Sequence, residues 1–131
     1  MTFNLKTESE SPERTTLHLH GRLDAQTFND FDRAMLDVLP RIPDGGTVVL
    51  DLSALEYISS AGLRSIAMIR KSMRARGGHT LLLDPQPQVR KVFDIVKAVP
   101  LQEVFANTQE LDRYLDHMQR QVTGDGSVGN A

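Results

Sequence analysis

The chain reads as a single α/β domain, with a mixed, mostly parallel β-sheet, an antiparallel hairpin at its N-terminal edge and about four α-helices. Three observations carry that reading. Phe3 and Leu5, and later Leu17 and Leu19, alternate with polar residues on either side of a polar, Pro-containing cluster from Glu8 to Glu13, which is the pattern of a hairpin. Two short apolar runs, Thr47 to Leu52 and His79 to Leu83, read as strands. Apolar stripes recurring every three or four residues separate them, and strands that alternate with helices build a parallel sheet through right-handed crossovers.

In the hairpin, Leu17 and Leu19 share one face and His18 and His20 the other. Two histidines two apart on a strand can contribute to a metal site. No third ligand stands near them in the sequence, so a solvated strand face is the favoured reading. Gly21-Arg22-Leu23-Asp24 ends the strand, and Asp24 is expected to cap the following helix by accepting from its free N–H groups. Phe28, Phe31, Met35, Val38 and Leu39 give that helix its buried stripe, and Pro40, Pro43 and Gly45-Gly46 stop it.

Thr47 to Leu52 is apolar on both faces and is expected to be a central strand covered by helices above and below. A polar turn after Asp51 then leads through Ser59, Ser60, Ala61 and Gly62 into a second helix. Its core side carries Leu63, Ile66, Ile69, Arg70 and Met73; Arg64, Met68, Lys71 and Ala75 fall on the other side. Arg76-Gly77-Gly78 terminates it. After the strand His79 to Leu83, Asp84-Pro85 is expected to start a third helix, with an acidic cap, a proline in the first turn and Val89, Val92, Phe93 and Val96 facing inward. Pro100 interrupts, Leu101 to Phe105 offers a short strand or turn, and Asn107 is expected to cap a fourth helix bearing Leu111, Tyr114, Leu115 and Met118. The domain is thus placed at residues 1–121. Gly, Ser, Asp and Asn dominate 122–131, expected to be a disordered tail.

Composition narrows the function. Fifteen basic against seventeen acidic residues leave a net charge of -2, which gives no sign of a nucleic-acid binder. Absence of cysteine excludes thiol catalysis, disulfides and cysteine-ligated metal. Acidic residues occupy the N-terminal stretch where a signal peptide needs about 7 to 15 apolar residues, and no run reaches the roughly 20 needed to span a bilayer. A cytoplasmic domain without cofactor, metal or membrane insertion is expected.

The serines between strand and helix pose the functional question. A hydrolase nucleophile elbow has the pattern Gly-x-Ser-x-Gly, whereas Ile58-Ser59-Ser60-Ala61-Gly62 lacks the first glycine, and the four histidines show no triad order. A phosphate-cradling loop needs several glycines and a lysine, and here there is one glycine and no lysine. Two readings remain open from the residues alone. One serine caps the helix, or a serine at the helix N-terminus accepts a phosphate that the free N–H groups tolerate and a docked partner does not.

The segment Asp51 to Arg64, DLSALEYISSAGLR, resembles the signature of the STAS domain family, whose bacterial members include anti-sigma factor antagonists. Gly21-Arg22-Leu23-Asp24 is similar to that family's second common element, and Asp84-Pro85 with Val89 to Val96 to its third. The resemblance runs from about residue 3 to residue 118. It implies a binding module that engages an anti-sigma factor serine kinase, is released by phosphorylation of a loop serine, and is restored by a serine phosphatase. Matched to the usual Asp-Ser-Ser/Thr-Gly loop, Ser59 stands at the Asp, Ser60 at the phosphoacceptor, Ala61 at the second hydroxyl and Gly62 at the glycine. Ser59 is the secondary candidate for the phosphate. The implied partner surface comprises Asp24, Ser59, Ser60, Ala61, Gly62, Arg64 and Met68 on a monomer or weak dimer. Alternatives are a constitutive, non-phosphorylated adaptor in a transporter, stressosome-like or sensory assembly, and a small serine hydrolase.

Overall fold

Apolar residues at every second position pair the N-terminal strands through one face. In the computed structural model, which describes residues 3–96, 104–105, 110 and 113, β1 (Phe3–Ser11) and β2 (Arg14–Leu23) run antiparallel with Leu5 opposite Leu19. β2 pairs parallel with β3 (Thr47–Ile58), β3 with β4 (His79–Leu83) and β4 with β5 (Val104–Phe105), in the spatial order β1-β2-β3-β4-β5. Between the parallel strands lie α1 (Phe28–Val38), α2 (Ser60–Ala75) and α3 (Pro87–Val96), and a 3-10 turn at Leu39–Arg41 follows α1. The expected α/β architecture, with an antiparallel edge on a parallel sheet, is the one observed.

Right-handed crossovers that advance in one direction place their helices on one face of a sheet. The core agrees, since Phe31, Met35 and Val38 of α1, Ile66, Ile69 and Met73 of α2, and Val89 and Phe93 of α3 form one cluster with Leu17, Leu19, Val48, Leu50 and Leu82. Val49, Leu81 and Leu83 alternate to the opposite face and are buried as well. Phe3 closes the edge of the core, its ring edge-on to Phe31 at 5.9 Å.

Three expectations need correction. The strand expected to stop at Leu52 continues to Ile58, so the polar turn after Asp51 is absent. Its buried residues Leu50, Leu52, Leu55 and Ile58 step by two, three and three, and the wider steps coincide with register shifts against β2. His18 opposite Asp51 is followed by His20 opposite Ala54, and Gly21 opposite Leu55 by Arg22 opposite Tyr57. Each shift inserts one unpaired β3 residue, a bulge that breaks the period of two without ending the strand.

Asp24 does not cap α1. The N–H groups of Thr27 and Phe28 both bond Asp24 O, at 3.2 and 2.9 Å, forming a turn that delays the helix to Phe28. The third helix begins at Pro87, not at Asp84-Pro85. Asp84 has a left-handed φ of 50°, and both it and Gln86 precede prolines, which push the preceding residue out of helical geometry. Described residues hold three α-helices; of the expected fourth, only Glu110 and Arg113 are described, both helical, and the tail from Val122 lies outside the described residues.

Candidate functional site at the β3–α2 junction

With β3 running to Ile58 and α2 starting at Ser60, a single residue joins them. Ser59 is extended (φ -100°, ψ 179°), and its Oγ accepts a 3.4 Å hydrogen bond from Gly62 N, the N-cap geometry. Its own N–H donates to Leu23 O at 2.9 Å, tying the junction to the end of β2. Gly62 is buried against that same strand end: a Cβ there would lie 2.8 Å from both Leu23 O and Ile58 Cγ1. Glycine at this position is a packing requirement.

The two serines therefore differ. Ser59 is half-buried with its hydroxyl engaged in the cap, whereas Ser60 is exposed at the first helical position. The first turn of α2 contains no acidic residue, so no carboxylate of the helix's own first turn offsets the positive end of its dipole. Ala61 is half-buried and carries no hydroxyl. Arg64 and Met68 are exposed one turn apart along the helix, Met68 at 65%.

Asp24 stands beside this junction because Leu23 pairs with Ile58. Its carboxylate accepts from Gln26 N at 3.0 Å and lies 3.5 Å from Arg22 Nε. The Gln26 hydrogen bond first, with further ones from Thr27 and the nearby Arg22 charge, holds it below the usual carboxylate range against the opposing effect of burial. Thr27 Oγ1 accepts from Asp24 N at 2.9 Å and donates to Arg22 O at 2.8 Å, completing a rigid turn. The structure thus brings Asp24, Ser59, Ser60, Ala61 and Gly62 to one rim, with Arg64 and Met68 leading away from it.

Two further rim residues escaped the sequence reading. The Arg22 guanidinium lies over the Tyr57 ring at 4.2 Å. Their meeting depends on the second bulge, which slides Tyr57 opposite Arg22, and period-two counting gives no hint of it. His20 is exposed as expected, whereas His18 is half-buried and engaged: Nδ1 is 2.6 Å from Asp51 Oδ2 and Nε2 2.9 Å from Glu8 Oε1.

Among the described residues no group of His, Cys, Asp or Glu is arranged to hold a metal ion, and no helix is long and apolar enough to cross a membrane. No described histidine bonds either serine; His18 is committed to Glu8 and Asp51.

The STAS domain model matches residues 6–111. The chain belongs to the STAS domain family. BtrV of Bordetella bronchiseptica, provisionally named an anti-sigma factor antagonist, is 50% identical over 48 residues, a span of 37% of this STAS chain and 41% of that protein. An anti-sigma F factor antagonist of Lysinibacillus sphaericus is 27% identical over 113 residues, 86% of this chain and 94% of the relative. Among solved structures, the anti-sigma factor antagonist SpoIIAA in its unphosphorylated form superposes with a TM-score of 0.72 at 21% identity, covering 87% of this chain and 97% of that one. Its phosphorylated form gives 0.66 at 22% identity, over 85% and 99%. At such identities the superposition establishes the shared STAS fold.

Proposed function

We propose that this STAS domain is a cytoplasmic anti-sigma factor antagonist that binds an anti-sigma factor serine kinase and is released from it by phosphorylation of Ser60. The observation that carries the proposal is the division of labour between adjacent serines, in which Ser59 is used by the fold and Ser60 is presented to solvent. The names of its relatives support the antagonist role, and SpoIIAA has been solved in both phosphorylation states. The domain binds, and the chemistry belongs to its partners: the kinase adds the phosphate and a serine phosphatase removes it.

Ser60, Arg64 and Met68 make the direct contacts, while Asp24, Ser59, Ala61 and Gly62 frame them. A phosphate adds about two negative charges and three acceptor oxygens. The free N–H groups of α2 accommodate it within the domain, but a closely packed partner loses contact with Ser60 and must desolvate the dianion. Incubation with the cognate kinase and ATP is expected to add one phosphate, located at Ser60 by mass spectrometry and absent from Ser60→Ala. Ser60→Asp is expected to weaken kinase binding by about tenfold, near 1.4 kcal/mol. Labelling that survives Ser60→Ala but is lost in Ser59→Ala moves the site. Kinase binding with no phosphorylation at all favours the constitutive adaptor.

A further inference from the structure

Away from the rim, α1 and α2 leave a groove of about 530 Å³ between them, floored by Met35 and Ile69 and edged by Leu36, Leu39 and Met68. Leu36 is 77% exposed and Met68 65%, the two most exposed large apolar side chains among the described residues. The walls carry opposite charge. α2 has four basic residues and no acidic one, while α1 has three aspartates against one arginine. Asp30 and Asp37 are answered within the chain by Arg33 and Arg41. Asp32, which lines the groove, has no ion pair among the described residues, and neither does Arg64 on the opposite helix.

The two helices follow parallel strands in successive right-handed crossovers, so they run in the same direction. Asp32 stands four residues from the start of α1 and Arg64 four from the start of α2; Leu36 and Met68 each stand eight from theirs. Asp32, Met35, Leu36 and Leu39 on one wall and Ser65, Met68, Ile69 and Ser72 on the other line the same stretch of groove. A two-fold axis running along the groove exchanges its walls, setting α1 of one copy over α2 of the other. Such an arrangement would set the acidic, Leu36-bearing wall of each copy on the basic, Met68-bearing wall of the other, each contact made twice as an isologous interface requires. A uniformly acidic or basic partner helix would be repelled by one wall; a second copy satisfies both.

We propose that this groove is a self-association surface, in which two copies of the chain pair α1 against α2. Parallel helices about 10 Å apart, the shorter about 16 Å long, offer roughly 300 to 400 Å², well under the ~800 Å² per partner of a stable interface. The dimer is therefore weak and concentration-dependent. It also covers Arg64 and Met68, so self-association and the kinase contact proposed above compete for the same helix face. The inference rests on the groove and its charges and does not depend on Ser60.

Sedimentation velocity of the full chain without kinase, from about 20 μM to about 1 mM, tests it. The expected result is a monomer–dimer equilibrium weakened about tenfold or more by Leu36→Glu or Met68→Glu, substitutions on exposed positions whose folding circular dichroism verifies. Asp32→Arg and Arg64→Asp are each expected to weaken the dimer about fivefold, and the double charge swap to restore it to within about twofold. A species that stays monomeric to about 1 mM overturns the proposal, including the case where Leu36→Glu and Met68→Glu weaken kinase binding instead. A dimer indifferent to these substitutions, or a double swap that fails to restore it, overturns it as well.

Discussion

His18 Nδ1 lies 2.6 Å from Asp51 Oδ2, and the opposite ring nitrogen lies 2.9 Å from Glu8 Oε1. Ionised carboxylates only accept, so a ring that serves both must carry a proton on each nitrogen. The resulting imidazolium joins β1, β2 and β3 by side chains. Burial lowers the His18 pKa, but its bonds to Glu8 and Asp51 and their charges outweigh that and leave it above 6.5. Asp51 shows the converse: burial raises its pKa, while bonds from Ser53 and His18 bring it below 3.8.

The pH dependence follows from those directions. A raised histidine stabilises fully below its unfolded value of 6.5 and loses the contribution as pH rises through its folded pKa; a lowered aspartate stabilises above 3.8 and loses it on acidification. The clamp is therefore strongest from about pH 4 to about 6.5. His18→Gln is expected to cost about 1–2 kcal/mol at pH 6 and clearly less at pH 9, read from urea denaturation at both values. An equal loss at the two pH values would contradict the charged clamp.

Separating the serines gives a second expectation. Ser59→Ala removes the cap of α2 and should cost about 1 kcal/mol, whereas Ser60→Ala should change stability by no more than about 0.5 kcal/mol. Thermal denaturation of the two variants decides it. A larger loss for Ser60→Ala would mean that the roles are reversed.

Gly62→Ala drives a methyl group against the Leu23 carbonyl, a backbone atom that cannot swing away. A loss of about 1–3 kcal/mol is expected, with α2 displaced from the end of β2. Chemical-shift changes in Leu23 and Ile58 amides would locate the displacement; their absence would show that the junction has room.

Arg76 anchors the far end of α2. Its guanidinium donates to Leu39 O at 2.9 Å and to Ile42 O, and pairs with Asp44 at 3.0 Å. Arg76→Lys keeps the charge but not the fork, so it should destabilise nearly as much as Arg76→Ala, about 1–3 kcal/mol. Full stability of the lysine variant would show that charge alone suffices.

Much of the architecture was legible because hydrophobic periodicity reports burial. Phe31, Met35 and Val38, or Ile66, Ile69 and Met73, occupy the core positions their spacing requires. Signals failed where one local rule met another. The bulges hid the second half of β3 from a period of two, and the prolines at 85 and 87 moved the start of α3 past an acidic residue that looked like its cap. Ser60 and its neighbours were proposed from a family signature, and the structure adds that Ser59 caps α2 while Ser60 is exposed, which spacing left open. Arg22–Tyr57 and Glu8–His18–Asp51 join residues from different strands, whose meeting depends on register and is invisible along the chain.

Because β3 extends to Ile58, the proposed acceptor Ser60 has a hydrogen-bonded strand on one side, its helix on the other and one capped residue between them. Its backbone has almost no slack. Under the proposed switch, a phosphate on Ser60 meets a backbone already tied by hydrogen bonds on both sides. The proposed switch then acts through the electrostatic potential of the surface a partner meets, with the frame itself as its support.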